Sequence, residues 1–168
     1  RIGLPGRVVG EAVMSHVTRT VFLIFLGCAV LGNSGAQEDE RERRIALIIG
    51  NSGYETAPLR NPTNDAVSVS DALEQLGFEV TTILEAGRRK MLEAVRLFGE
   101  QLDEDSVGLF YYSGHGIQHE GANYLVPIGA DIQSSADIEF ESLNLGRVLA
   151  QMEGSGARIS MVILDACR

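Results

Sequence analysis

Tryptophan is absent from the 168 residues, aromatic residues make up only 6%, and there are four prolines and two cysteines. So little proline excludes a proline-rich linker or fibrous chain. Basic residues are scarce too: 14 Lys and Arg stand against 23 Asp and Glu, for a net charge of −9. Proteins that hold nucleic acid carry the opposite sign, so nucleic acid is not an expected partner. What remains is 45% hydrophobic and 22% charged, with a mean hydropathy of +0.06, the profile of one globular domain.

The chain opens on Arg1, and its first methionine is Met14. Arg19 precedes an apolar run, Val21 to Leu31 (VFLIFLGCAVL), followed by the small residues of Asn33-Ser34-Gly35-Ala36. A short positive region, an apolar stretch and a small-residue cut site are the parts of a secretory signal. Eleven residues rise about 16 Å as a helix, against about 30 Å of bilayer hydrocarbon. The expectation is therefore a signal peptide over 14–36 rather than a membrane anchor, with 1–13 an upstream extension. Residues 37–43 (QEDERER) are a charged leader to a domain at 44–168. The protein is expected to be exported, to a periplasm or outside the cell. Residues 37–168 carry 11 basic and 22 acidic side chains and one cysteine, Cys167. No disulfide can form within that portion, so Cys167 is inert, reactive or paired to another chain.

Ile45–Ile49 (IALII) is a short apolar run ahead of Gly50-Asn51-Ser52-Gly53, as a buried parallel strand requires. Pro58 to Asn64 reads as loop, turning at Asn61-Pro62. Ala66, Val69, Leu73 and Leu76 recur at helical spacing, with Asn64 or Asp65 as cap and Gly77 as stop. Glu79–Leu84 (EVTTIL) is β-branched and predicts a second strand. Met91, Val95, Phe98 and Leu102 predict a helix opening near Gly87, and Val107–Tyr112 (VGLFYY) a third strand. Gly114 to Pro127 reads as a loop or hairpin. Leu145, Val148, Leu149 and Met152 predict a third helix, and Ser160–Leu164 (SMVIL) a fourth strand. Alternating strands and helices predict an α/β fold with a mostly parallel sheet covered on both faces. Ligand sites in such sheets lie beyond the carboxyl ends of the strands. Ser113-Gly114-His115-Gly116 and Asp165-Ala166-Cys167-Arg168 follow the third and fourth strands, and Asn61 to Asp65 follows the first. Three segments thus converge on one rim.

A cysteine attacks as thiolate and needs a base nearby, and His115 serves near neutral pH. Glycines flank His115 and let the main chain approach closely, so that the amides of Gly116 and Cys167 are placed to hold an oxyanion. Taken by themselves, the same residues also suit a turn histidine and a small core cysteine. The spacing separates the two readings. His115 and Cys167 are 52 residues apart, each at a strand end. The caspase signature Q-A-C-[RQG]-G has its histidine about 50 residues upstream, and Ala166, Cys167 and Arg168 match it.

On RIALIIGNSGY (44–54), LRNPTNDA (59–66), FYYSGHG (110–116) and LDACR (164–168), the sequence resembles the caspase-like cysteine peptidases, clan CD, family C14. It looks closest to the metacaspase-like bacterial branch, the orthocaspases. The resemblance covers essentially all of 44–168 and implies a caspase-like three-layer sandwich. It implies Cys167 as nucleophile, His115 as general base and acid, and Gly116 and Cys167 as oxyanion-hole amides. Metacaspase-like members have an acidic pocket for the P1 side chain, and the matching positions are Asp65, Ser113 and Asp165. Asp165 replaces the Gln of the animal signature, so the expected substrates are polypeptides with Arg or Lys at P1, held by carboxylate pairing. Asp65 is equally placed to cap a helix, Asp165 to be a structural acid, and Ser113 to be a turn residue. Family members continue beyond Cys-Arg with a smaller p10-like portion. This sequence ends at Arg168, so the expectation is a p20-like portion truncated after the nucleophile, with weak activity or none alone.

No cofactor is expected to be required. Several metacaspases use calcium, and Asp131, Asp137, Glu139 and Glu141 are candidates, although a solvated acidic loop accounts for them as well. His115 and His119 have H-x3-H spacing, but glycines at 114, 116 and 121 argue against the helix a zinc pair would need. Tyr111 and Tyr112 read as core and rim packing. The alternative function is a catalytically silent module of the same fold that binds a partner. Legumain- or gingipain-like enzymes also place His-Gly and Cys at strand ends, but D-A-C-R and N-D-A favour the caspase-like branch.

Overall fold

The structure, a computed structural model, describes residues 42–167, with Cys167 described by its main chain. The expected signal peptide over 14–36 lies outside the described residues. Among the described residues, no helix is long and apolar enough to cross a membrane.

Ten elements follow in order: β1 (Arg43–Gly50), α1 (Pro62–Gln75), β2 (Glu79–Leu84), α2 (Arg88–Gln101), β3 (Ser106–His119), β4 (Ala122–Leu125), α3 (Asp137–Glu141), β5 (Leu143–Asn144), α4 (Leu145–Gly154) and β6 (Ile159–Cys167). β1 lies parallel between β2 and β3, and β6 lies parallel on the far side of β3. The outer part of β3 also pairs antiparallel with β4, which pairs with β5. The result is one mixed six-stranded sheet.

Side-chain alternation along each strand sorts the core into two layers. Ile45, Leu47, Ile49, Phe110 and Tyr112 pack with Met91, Val95 and Phe98 of α2 and Val148 and Met152 of α4. Ala46, Ile48, Leu109 and Tyr111 pack against Ala66 and Leu73 of α1. Residues 45–49 are all at most 1% exposed, which is why that run is apolar at every position and not at alternate ones. Each Ile or Leu buried so completely contributes about 1.5–3 kcal/mol.

The expected α/β sandwich with helices on both faces is therefore the fold observed, while several boundaries differ. α1 starts at Pro62, with Asn61 at the N-cap position and no side-chain cap, so neither Asn64 nor Asp65 caps it. Proline fixes φ at a helical value and suits the first turn, where its missing N–H costs nothing. Ser113–Gly116 does not follow the third strand but lies inside it, because β3 runs on to His119. The 114–127 segment is a hairpin, turning at Glu120 and Gly121, both at positive φ (49° and 79°), as a two-residue turn with the strands' twist requires. β6 likewise extends through Asp165 to Cys167. The short α3 and β5 were not expected.

Candidate active site

The loop after β1 and the outer part of β3 meet where the sheet's connections diverge, the position at which α/β sheets place their ligands. In the parallel register of β3 and β6, Ser113 is opposite Asp165, Gly114 opposite Ala166, and His115 opposite Cys167. The two residues expected to share chemistry are therefore nearest neighbours across one ladder. About 5 Å of sheet separates such strands.

The His115 side chain is held from the β1–α1 loop. Its Nε2 is 2.7 Å from the carbonyl oxygen of Ala57. A carbonyl only accepts, so Nε2 carries the proton and Nδ1 is the basic nitrogen. Ala57 has φ of 58°, a conformation that L side chains avoid, and the strain goes with the aim of that carbonyl. The rings of Tyr54 and His115 lie 4.4 Å apart, tilted by 51°. A base oriented by a third group is the arrangement a nucleophile–base pair needs.

Behind the ring lies a buried hydroxyl network. The His115 amide donates to the Tyr54 hydroxyl at 3.0 Å, and that hydroxyl donates to the Val126 carbonyl at 3.0 Å. The Tyr112 hydroxyl is 3.2 Å from that of Tyr54, and is 2.8 Å and 2.9 Å from the carbonyls of His115 and Val126. Burial pushes both phenols above their ordinary range, Tyr112 strongly. Gly114 makes room for this pair: a Cβ there would sit 2.6 Å from the Tyr112 hydroxyl and 2.7 Å from that of Tyr54.

The loop itself is pinned at both ends. Asn51, fully buried, accepts from the Ala86 amide at 2.8 Å and donates to the carbonyls of Ala86 and Val126. The Glu85 carboxylate accepts from the amides of Ser52 and Gly53. Gly50 is required by close approach, since a Cβ would meet Ala66 and the Pro62 carbonyl at 2.7 Å.

Of the three residues expected to line the pocket, Ser113 and Asp165 come together. Ser113 is buried and its Oγ lies 3.4 Å from Asp165 Oδ2, while the Tyr111 hydroxyl lies 3.5 Å from the same oxygen. Tyr111 is raised above its ordinary range, first by burial and then by the negative charges of Asp165 and Asp65. Asp165 is exposed and Asp65 half-buried. Gly116 lies against β6, where a Cβ would be 3.2 Å from that of Ala166.

The acids named for calcium serve local needs. Asp137 accepts from the amides of Gln133 and Ser134 and from Ser134 Oγ, and Glu139 accepts from the Tyr124 hydroxyl. Among the described residues, no group of three or more His, Cys, Asp or Glu side chains converges to hold a metal ion.

The sequence reading missed Tyr54, Ala57, Asn51 and Glu85. Ala57 acts through its carbonyl, which any residue carries. Tyr54 and Asn51 stand within RIALIIGNSGY, where the sequence signals only a strand and the glycines that follow it.

A histidine and a cysteine thus stand opposite each other on adjacent parallel strands at the carboxyl rim of an α/β sandwich. The caspase domain of the C14 peptidases matches residues 43–168, and the chain belongs to that family. Its sequence is 32% identical over 126 residues to the human mucosa-associated lymphoid tissue lymphoma translocation protein 1 and, to the same extent, to the mouse homolog. These matches cover 74% of this chain and 15% of each relative, so the chain spans about a seventh of their length. A crystal structure of a protein from Geobacter sulfurreducens superposes with a TM-score of 0.59 at 20% identity. That match covers 74% of this chain and 50% of the other, a likeness of fold.

Proposed function

We propose that this chain is the catalytic portion of a cysteine endopeptidase that cuts after Arg or Lys. The observation that carries the reading is the pairing of His115 with Cys167, with the imidazole oriented by Ala57. In the proposed reaction, Nδ1 of His115 takes the thiol proton and the sulfur of Cys167 attacks the scissile carbonyl carbon. The amides of Gly116 and Cys167 hold the oxyanion. The C–N bond breaks as the imidazolium returns its proton to the leaving amine. Water, deprotonated by the same nitrogen, then attacks the thioester, releasing the acid and restoring the thiol.

Selectivity in this reading rests on Asp165 and Asp65, which would pair with a guanidinium or ammonium at P1. A bidentate partner favours Arg. The substrates would be polypeptides, and the chain would be exported through its Val21–Leu31 segment, in the manner of a metacaspase-like bacterial enzyme.

Ile159, Ile163 and Leu164 of β6 are 39–46% exposed, and among the described residues β6 pairs only with β3. This favours a p10-like portion or partner chain laid along β6. It also keeps open a second reading, a silent fold that serves assembly.

An Arg-amide fluorogenic peptide tests the first reading. Cys167→Ala and His115→Ala are each expected to lower kcat by at least about a thousandfold. Labelling of Cys167 by a thiol-reactive peptide ending in arginine should outpace that of a free thiol. Equal turnover by Cys167→Ala overturns the enzyme reading, and labelling at the free-thiol rate favours the silent fold.

A further inference from the structure

His115 follows Leu109 and Tyr111 in strand alternation and faces the α1 layer, where Tyr54 and Ala57 meet it. On the other layer, the N-terminal turns of α2 and α4 border a pocket of about 230 Å³. Its walls include Arg88, Arg147, Ser142, Phe140, Leu92 and Glu139.

The charges here run against helix electrostatics. α2 begins Arg88-Arg89-Lys90, with no acidic residue in its first turn and no side-chain cap at Gly87. Cations at the positive end of a helix are unfavourable unless an anion joins them. Arg88 leans into the pocket, with Nε donating to the Ser142 carbonyl at 3.4 Å, and Arg147 stands exposed in the first turn of α4. Among the described residues, neither arginine has an acidic partner within ion-pair distance.

A second observation is independent of the helix ends. Ser142 is 2% exposed, and its Oγ has no hydrogen-bond partner among the described residues. Buried hydroxyls are nearly always paired, so a donor in this wall without a partner points to an acceptor that arrives with a ligand. Beside it, Phe140 is 72% exposed and offers an apolar surface next to the two arginines.

We propose that this pocket is a second, non-catalytic site that binds an acidic peptide segment of a partner protein. One Glu or Asp carboxylate would sit among Arg88, Arg147 and the Ser142 hydroxyl, with a neighbouring apolar side chain against Phe140 and Leu92. Glu139, held by the Tyr124 hydroxyl at 3.2 Å, offsets one of the two positive charges. The remaining single charge matches a carboxylate better than a phosphate dianion. The apolar half of the wall selects a peptide over a bare ion.

The test is fluorescence anisotropy on the full chain with fluorescein-labelled Ser-Phe-Glu-Leu-Ser-amide, which has no basic residue for the catalytic pocket. Saturable binding is expected, weakened about tenfold or more by Glu→Gln in the peptide and by Arg147→Gln or Arg88→Gln in the protein. Arg147→Lys should retain most of the affinity. Arg147 is exposed, so unchanged thermal unfolding of Arg147→Gln would separate lost binding from lost folding. Absence of saturable binding, or equal binding of the Glu and Gln peptides, overturns the proposal. Displacement by inorganic phosphate at concentrations below the peptide Kd overturns it in favour of a free anion.

Discussion

Tyr54 supports His115 twice: its ring lies against the imidazole at 4.4 Å, and its hydroxyl accepts the His115 amide at 3.0 Å. One side chain therefore fixes both the ring and the main chain of the proposed base. Tyr54→Phe keeps the ring contact and removes the acceptor, leaving a half-buried N–H unpaired. Unfolding in urea should register a loss of about 1–3 kcal/mol. Turnover of the Arg-amide peptide should fall as well, through kcat more than KM. An unchanged urea midpoint would mean that the hydroxyl network contributes nothing.

Asn51 is predicted to matter for stability although it touches no substrate group. Asn51→Ala leaves the buried Ala86 amide without its partner, at a cost of about 1–3 kcal/mol, while the carbonyls of Ala86 and Val126 keep the Ile128 amide and the Tyr54 and Tyr112 hydroxyls. Asn51→Asp would retain the acceptor for Ala86 and lose the two donated bonds. Chemical denaturation of the pair at neutral pH should rank both below the parent, with Asp the lower, because a fully buried carboxylate would face two carbonyl oxygens.

Tyr112, Tyr54 and Tyr111 are all raised above 10.0, the value of a free phenol, with burial the leading cause in each. The sign of the pH dependence follows. Below about pH 10, both folded and unfolded chains hold these protons and stability does not change on their account. Above it, the unfolded chain releases protons that the folded chain retains, so stability falls as pH rises. Melting temperature measured from pH 9 to 12 should decline, and phenolate absorbance should appear together with unfolding. Tyr112→Phe should flatten part of that decline. A flat profile in the parent protein would contradict the assignment.

Asp165→Asn tests the acidic pocket. If Asp165 pairs with a P1 guanidinium, removing its charge should lower kcat/KM for an Arg peptide by about ten- to a hundredfold, the range of a lost charge-assisted bond. The change should fall mainly on KM. Asp65→Asn should act in the same direction. A Gln peptide assayed in parallel should show a far smaller loss, and equal losses on both peptides would assign these acids a structural role.

Much of the fold was legible because its signals are local. Ile45–Ile49 and Glu79–Leu84 announce strands by composition, and Met91, Val95 and Phe98 recur at helical spacing on the face that α2 buries. The outer ends of β3 and β6 were not legible. Gly114 and Gly116 look like loop residues in isolation, and only pairing with β4 and β6 draws them into a strand. β5, two residues long, exists because Leu143 and Asn144 meet Leu125 and Tyr124. The proposed chemical residues stood out by type and spacing, whereas their supports did not. Asn51 and Tyr54 draw their importance from partners 35 to 75 positions away, a relation that no local pattern encodes.

β3 pairs with β1 and β6 along its inner length and with β4 at its outer end, and position 115 falls where these ladders meet. Alignment of positions 115 and 167 is thus a property of main-chain pairing, insensitive to most neighbouring side chains. The acids at 65 and 165 belong to different elements, a helix turn and a strand end. Under the proposed pairing with P1, exchanging both would retune which side chain the hollow accepts, while the alignment of histidine with cysteine is inherited unchanged.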